Sequence, residues 1–319
     1  MAFAAAAVWA AGRVDWRLVA GQLRAADFGS VVGMTFAWIA ALAIRPLRTT
    51  ALARSIAPDS RIAYAPFWTA NIASLAVNTV MPMRAGDVVM AVILNRRLGT
   101  TAPAAVSIVL FDRFFEFATV IVIFATPLWV VPVTAAWTRG TAAVLVPAVV
   151  MLAAGLWLAI HLRDFWLRLF DRLFGRISSP GMNRLRAVVR DLVAGFARLD
   201  DPRTIALVVA LSIVQWVAIA GSWWFGLAGV WSPDFAAAAF AAAVVALSVI
   251  VPIVPGGVGV VQGAAVLSLA AFHVPAESAL ALAIVIHAVQ AGTVLALGLL
   301  ALAWEGIGLG SLRRMKGGD

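Results

Sequence analysis

Long apolar runs alternate along the chain with short polar interruptions, and two of the interruptions resemble each other. Runs at about 28–44, 103–125, 140–162, 204–230 and 277–304 are long enough to cross a bilayer as helices, since about 20 residues rising 1.5 Å each span the hydrocarbon. Elsewhere the apolar pattern is broken by a Pro-x-x-x-Gly step, at Pro82-Met-Arg-Ala-Gly86 and again at Pro255-Gly-Gly-Val-Gly259. Each break is followed by about a dozen mostly apolar residues, a polar turn and a long apolar helix. Arg113 lies 31 residues beyond Pro82 and His287 lies 32 beyond Pro255, so the two copies align with one insertion. Broken helices at matching places in two halves are the sequence mark of a transporter binding site.

Arginine placement gives the spans a direction, because basic residues collect in cytoplasmic loops. Arg45, Arg48, Arg54 and Arg61 fall in one expected loop, segment 163–203 holds nine arginines against five aspartates, and the tail carries Arg313, Arg314 and Lys316. Segments 62–95 and 235–272 then have to enter the membrane and return on the side they came from, one from each face. The run Phe3–Ala11 is too short to cross and reads as the end of a first span; a cleaved signal peptide is the alternative, against which stands the lack of a basic stretch ahead of it. The expected fold is an all-α polytopic membrane protein, with about six transmembrane helices plus two re-entrant broken-helix pairs in an inverted-topology repeat. Its parts are an N-terminal membrane half (1–162), a cytoplasmic amphipathic linker (163–203) and a C-terminal membrane half (204–319), with the C-terminus cytoplasmic. The linker repeats aromatic and aliphatic residues at helical spacing opposite arginines, the pattern of helices lying in the interface against anionic headgroups; membrane-surface tether and lipid sensor are both open.

Composition narrows the class further. With 63% hydrophobic residues, 12% charged residues and a mean hydropathy of +0.99, the chain is no soluble globule. Its apolar blocks lack the alternation of a membrane β-barrel. The net charge of +9 is almost wholly arginine and lies beside spans, so anionic lipid accounts for it and nucleic acid does not. The absence of cysteine excludes disulfides and thiolate sites, and His161, His273 and His287 lack metal-ligand spacing, so no metal and no cofactor is expected. Trp223, Trp224 and Trp231 fit an outer aromatic belt, and Trp166 and Trp304 an inner one.

Polar groups at membrane depth are costly and mark functional candidates. The first half offers Asn71, Asn78, Arg84, Asp87, Asp112, Arg113 and Glu116; the second offers Gln215, Gln262, His287 and Gln290. Asp112 and Glu116 share one helix face. Two readings stand side by side: structural ion pairs, such as Arg84 with Glu116 or Arg113 with Asp87, or guanidinium groups that fork onto a phosphate. The run Gly256-Gly257-Val-Gly259 suits either backbone approach to a ligand or close helix packing. His287 suits either proton relay or a hydrogen-bonded packing role.

The sequence Asn78-x-x-x-Pro82-x-Arg84-x-Gly86-Asp87, followed by Asp112-Arg113, resembles the first signature of the lysylphosphatidylglycerol synthase transmembrane-region family, also described as flippase-like. Pro252-x-x-Pro255-Gly256-Gly257-x-Gly259 resembles its second. The resemblance covers roughly 28–304 and implies a prokaryotic cytoplasmic-membrane protein that moves or modifies lipids. This chain has Gln262 where the family often has Glu, His287 where it often has Arg, and Asp112 for a frequent Glu. No aminoacyl-transferase segment follows the last span, so that activity is not carried over, and a stand-alone translocase is implied. Arg84 and Arg113 would hold an anionic headgroup, with Asp87, Asp112 and Glu116 orienting them or engaging a cationic headgroup. Asn78, Gln262, His287 and the Gly256, Gly257 and Gly259 backbone would complete a polar path. A membrane transferase on a lipid-linked substrate, with Asp112 or Glu116 as general base, and a non-transporting partner of a cell-envelope glycosyltransferase are the alternatives. There is no G-x-x-x-x-G-K-[ST] run to hydrolyse ATP.

Overall fold

The computed structural model describes residues 15–25, 27–56, 62–81, 83–130, 163–174, 179–198, 201–232, 234–249 and 254–306, with 147, 151 and 154 singly. The described residues form eleven α-helices and no strand. In chain order they are α1 (Trp16–Ala25), α2 (Phe28–Ile56), α3 (Tyr64–Val80), α4 (Ala85–Leu98), α5 (Ala102–Val130), α6 (Arg163–Phe174), α7 (Pro180–Arg198), α8 (Pro202–Ala228), α9 (Phe235–Ser248), α10 (Val260–Ala270) and α11 (Ala276–Trp304). A 3-10 turn, Pro255–Gly257, precedes α10. The expected span 140–162 and the run Phe3–Ala11 lie outside the described residues.

Helices α2, α8 and α11 are long and apolar enough to cross a bilayer. The chain is an all-α multi-pass membrane protein. Helix α5 is equally long, 29 residues, but carries Asp112, Arg113 and Glu116. Between these long elements sit two hairpins of shorter helices, α3 packed on α4 and α9 packed on α10. None of the four exceeds 17 residues, which at 1.5 Å per residue falls short of about 30 Å of hydrocarbon.

The chain divides into two compact units. One contains residues 1–44, 114–154 and 211–292, and so holds the α9–α10 hairpin; the other contains 45–113, 155–210 and 293–319, and holds the α3–α4 hairpin. In the first unit the core is built from small residues with a few large ones between them, among them Ala237, Ala241, Ala283, Trp216, Trp223 and Ile286. Small side chains let apolar helices approach closely where lipid supplies no hydrophobic drive. Trp223 is 2% exposed in that core. Trp231 and Trp304 are exposed.

Helix α2 departs from the expected span. It does not stop at residue 44 but continues through Pro46 to Ile56, and Arg45 and Arg48 are buried within it. Loop counting places both arginines at the membrane surface. Their burial is offset by a carboxylate on α5, a tertiary contact that hydropathy does not register.

Candidate functional site

The first break is built around residues that only the local backbone explains. Helix α3 ends with the Met81 amide bonded to the Val77 carbonyl at 2.7 Å. Met83 and Arg84 then take left-handed conformations, φ 62° and 55°, before α4 begins at Ala85. A left-handed residue with a side chain costs roughly 1–2 kcal/mol, so Arg84 stands where glycine would be easier. Gly86 has no such freedom: a Cβ there would overlap the Ser74 carbonyl oxygen and come within 2.8 Å of Asn78 Oδ1. Asn78 Oδ1 accepts from the Gly86 amide at 2.8 Å, satisfying a donor that the first turn of α4 leaves open.

Asp87 follows in that first turn, where the helix dipole favours negative charge. Arg113 of α5 donates to Asp87 Oδ1 from Nη2 at 2.7 Å and from Nε at 3.1 Å. Ser74 donates to the same oxygen at 3.3 Å, and Asn78 at 3.5 Å. Arg84 Nη1 lies 3.8 Å from Asp87 Oδ2. The Arg113–Asp87 pair anticipated as one structural reading of the sequence is therefore formed.

The charges continue inward from Arg113, whose Nη1 lies 3.8 Å from Asp112 Oδ2. Asp112 Oδ1 accepts from Arg48 Nη2 at 2.9 Å and from Thr49 Oγ1 at 2.9 Å, and Arg45 Nη2 reaches Oδ2 at 3.5 Å. Asn71 Nδ2 donates to Thr49 Oγ1 at 3.2 Å and to the Phe67 carbonyl at 2.9 Å. Side-chain exposure falls along this line, from 31% at Arg84 through 20% at Asp87 and 12% at Arg113 to none at Asp112 and Arg48. One end of the network is open and the other is sealed.

Among the described contacts four arginines, 45, 48, 84 and 113, gather on two carboxylates, Asp87 and Asp112. Clustered guanidinium groups in a partly enclosed site favour an anion, and they fit phosphate in particular.

The remaining site candidates lie in the other unit. Gln215 Nε2 donates to Glu116 Oε1 at 3.4 Å. At the second break Gly256, Gly257 and Gly259 have φ of 65°, 68° and 82°, conformations open to glycine at no steric cost. Gln262 Oε1 accepts from the Gly259 amide at 2.8 Å, and Gln262 Nε2 lies 3.1 Å from His287 Nδ1 on α11. Gln262 of α10 and His287 of α11 thus meet each other.

Arg45, Arg48, Thr49 and Ser74 escape a sequence reading. The only signal for the first three is that nothing between 44 and 56 breaks a helix except Pro46, so that 45, 48 and 49 stay on one face. A further polar knot joins Thr69 Oγ1 and Arg97 Nε to Glu305, at 2.8 Å and 2.9 Å. It ties the α3–α4 hairpin to the end of α11. Among the described residues no group of three His, Cys, Asp or Glu could hold a metal.

The fold and this polar network define a multi-pass helical membrane protein with an arginine-rich site beside a broken helix. The sequence profile of the lysylphosphatidylglycerol synthase transmembrane region matches residues 1–298, and the chain belongs to that family. A comparison with curated proteins gave no match.

Proposed function

We propose that the protein translocates a lipid with an anionic headgroup, and that Arg84 and Arg113 engage the headgroup phosphate. The observation that carries this reading is the gathering of four arginines in one network that is partly exposed at Arg84 and fully buried at Arg48. Membership in a family named for lysylphosphatidylglycerol synthesis supports a membrane lipid as the partner. On this reading Asp87 and Asp112 hold the arginines in place and the headgroup completes their charge. The lipid tails remain in the bilayer, so the site needs to enclose only the head. On this reading each hairpin is a re-entrant element, too short to cross the hydrocarbon, and the repeated Pro-x-x-x-Gly step supports an inverted repeat.

Headgroup charge is the property to test. In proteoliposomes, fluorescent phosphatidylglycerol and phosphatidylcholine probes are followed by leaflet-selective quenching. The anionic probe is expected to cross about tenfold faster than the zwitterionic one, because both carry the phosphate and only the latter brings a choline cation against the guanidinium groups, a like-charge contact worth roughly 1–4 kcal/mol at a protein surface. Equal rates for the two probes would remove the role assigned to the arginines.

A further inference from the structure

The second break holds a latch whose chemistry differs from that of the first. Gln262 faces two partners, the Gly259 amide through Oε1 and His287 Nδ1 through Nε2. A backbone N–H can only donate, so the oxygen of the Gln262 amide must face Gly259 and its NH₂ must face the imidazole. The imidazole nitrogen in that contact is therefore an acceptor, and the ring is neutral. With one ring nitrogen accepting, the other carries the proton, on the side where the Gly256 backbone lies near the ring. One neutral histidine thus stands at the glycine break, tied to Gly259 through Gln262.

We propose that Gln262 and His287 form a proton-operated latch on the Gly256–Gly259 break, closed while the imidazole is neutral and released when it takes up a proton. A proton on Nδ1 sets N–H against N–H. Turning the Gln262 amide to relieve that clash would set its NH₂ against the Gly259 N–H, so no orientation satisfies all the groups. The contact at the first break, Arg113 on Asp87, joins a guanidinium to a carboxylate and has no imidazole in it, so the two breaks differ in chemistry.

The titratable neighbours do not take over the role of the histidine. Within this unit's described residues, Asp15, Arg17, Arg24 and Asp27 precede or flank α1, Asp234 caps α9, and His273 and Glu277 sit at the α10–α11 turn. Glu116 on α5 is hydrogen-bonded to Gln215. The groups recorded against the imidazole are the Gln262 amide and the Gly256 backbone.

The latch stands whether or not a lipid is the cargo, and its test reads the backbone rather than transport. Hydrogen exchange is measured on the full chain in detergent for the peptide covering 256–262, corrected for the intrinsic pH dependence of exchange, between about pH 8 and pH 5, the span over which a free imidazole changes charge. In the wild type, corrected exchange at the break is expected to rise about tenfold as pH falls, the effect of losing one hydrogen bond of ordinary net strength. Gln262→Glu should reverse the sign, because its second carboxylate oxygen accepts from a protonated imidazole and tightens the break at low pH. His287→Gln keeps an acceptor without a titrating group and should give a flat profile. A flat wild-type profile, or a Gln262→Glu profile with the wild-type sign, would overturn the proposal. Exchange in α3 and α4, in the same samples, reports that each variant is folded.

Discussion

At the scale of single residues the site separates folding from function. Asp112 is fully buried and faces Arg45 and Arg48, with Arg113 on its other side. Removing its charge leaves buried guanidinium groups without their counter-ion, a change worth about 3–5 kcal/mol in comparable buried pairs. Asp112→Asn is therefore expected to lower the unfolding midpoint in detergent sharply, and an unchanged midpoint would show that the carboxylate does not hold the arginines. Arg84 is the opposite case, since it is partly exposed and its backbone is left-handed. Arg84→Gly relieves that conformation and should keep or raise thermal stability, while removing the outermost positive charge. The identity of Arg84, Asp87, Asp112 and Arg113 as membrane-embedded charges is legible in the sequence. Their pairing order is not, because Asp87 and Asp112 each had several arginines within reach along the chain and only the packing of α2, α4 and α5 selects among them.

At the scale of elements, the hairpins depend on close backbone approach. Gly86→Ala places a methyl group against the Ser74 carbonyl, a backbone atom that cannot turn aside. Overpacking of this kind costs typically about 1–3 kcal/mol, so faster hydrogen exchange throughout α3 and α4 is the expected result; exchange at the wild-type rate would mean that the two helices can part without loss. The Glu305 knot gives a graded pair. Arg97 is about half exposed and Glu305 is nearly enclosed while bonded to both Thr69 and Arg97. Glu305→Ala should therefore loosen the hairpin more than Arg97→Ala, as read by exchange in α3, and the reverse order would count against Thr69 as the main partner.

The same scale shows how far periodicity reaches. Helices α5, α8 and α11 follow the apolar runs within a few residues, and α3–α4 and α9–α10 fall where a Pro/Gly step interrupts such a run. Helix α2 does not, because an arginine in a loop and an arginine buried on a carboxylate look alike in one dimension. Arg45 and Arg48 belong to the second kind only because Asp112, more than sixty residues away in sequence, is folded against them. Gln262 and His287 were each visible as polar residues in apolar surroundings, but their shared role at one glycine break needs α10 and α11 side by side.

At the scale of the whole molecule, each compact unit contains one hairpin and one set of polar contacts at its break. One set is ionic and built from arginine and aspartate; the other joins a glutamine amide to a histidine.

The central claim is that arginine at the open end of the network moves the headgroup and does not merely hold the fold. It is tested by measuring anionic-lipid translocation and thermal stability together in Arg84→Gly and Arg113→Gln against the wild type. Translocation lost in Arg84→Gly with the midpoint unchanged or higher, alongside loss of both in Arg113→Gln, is the result expected here. Wild-type translocation in a stable Arg84→Gly protein would contradict it.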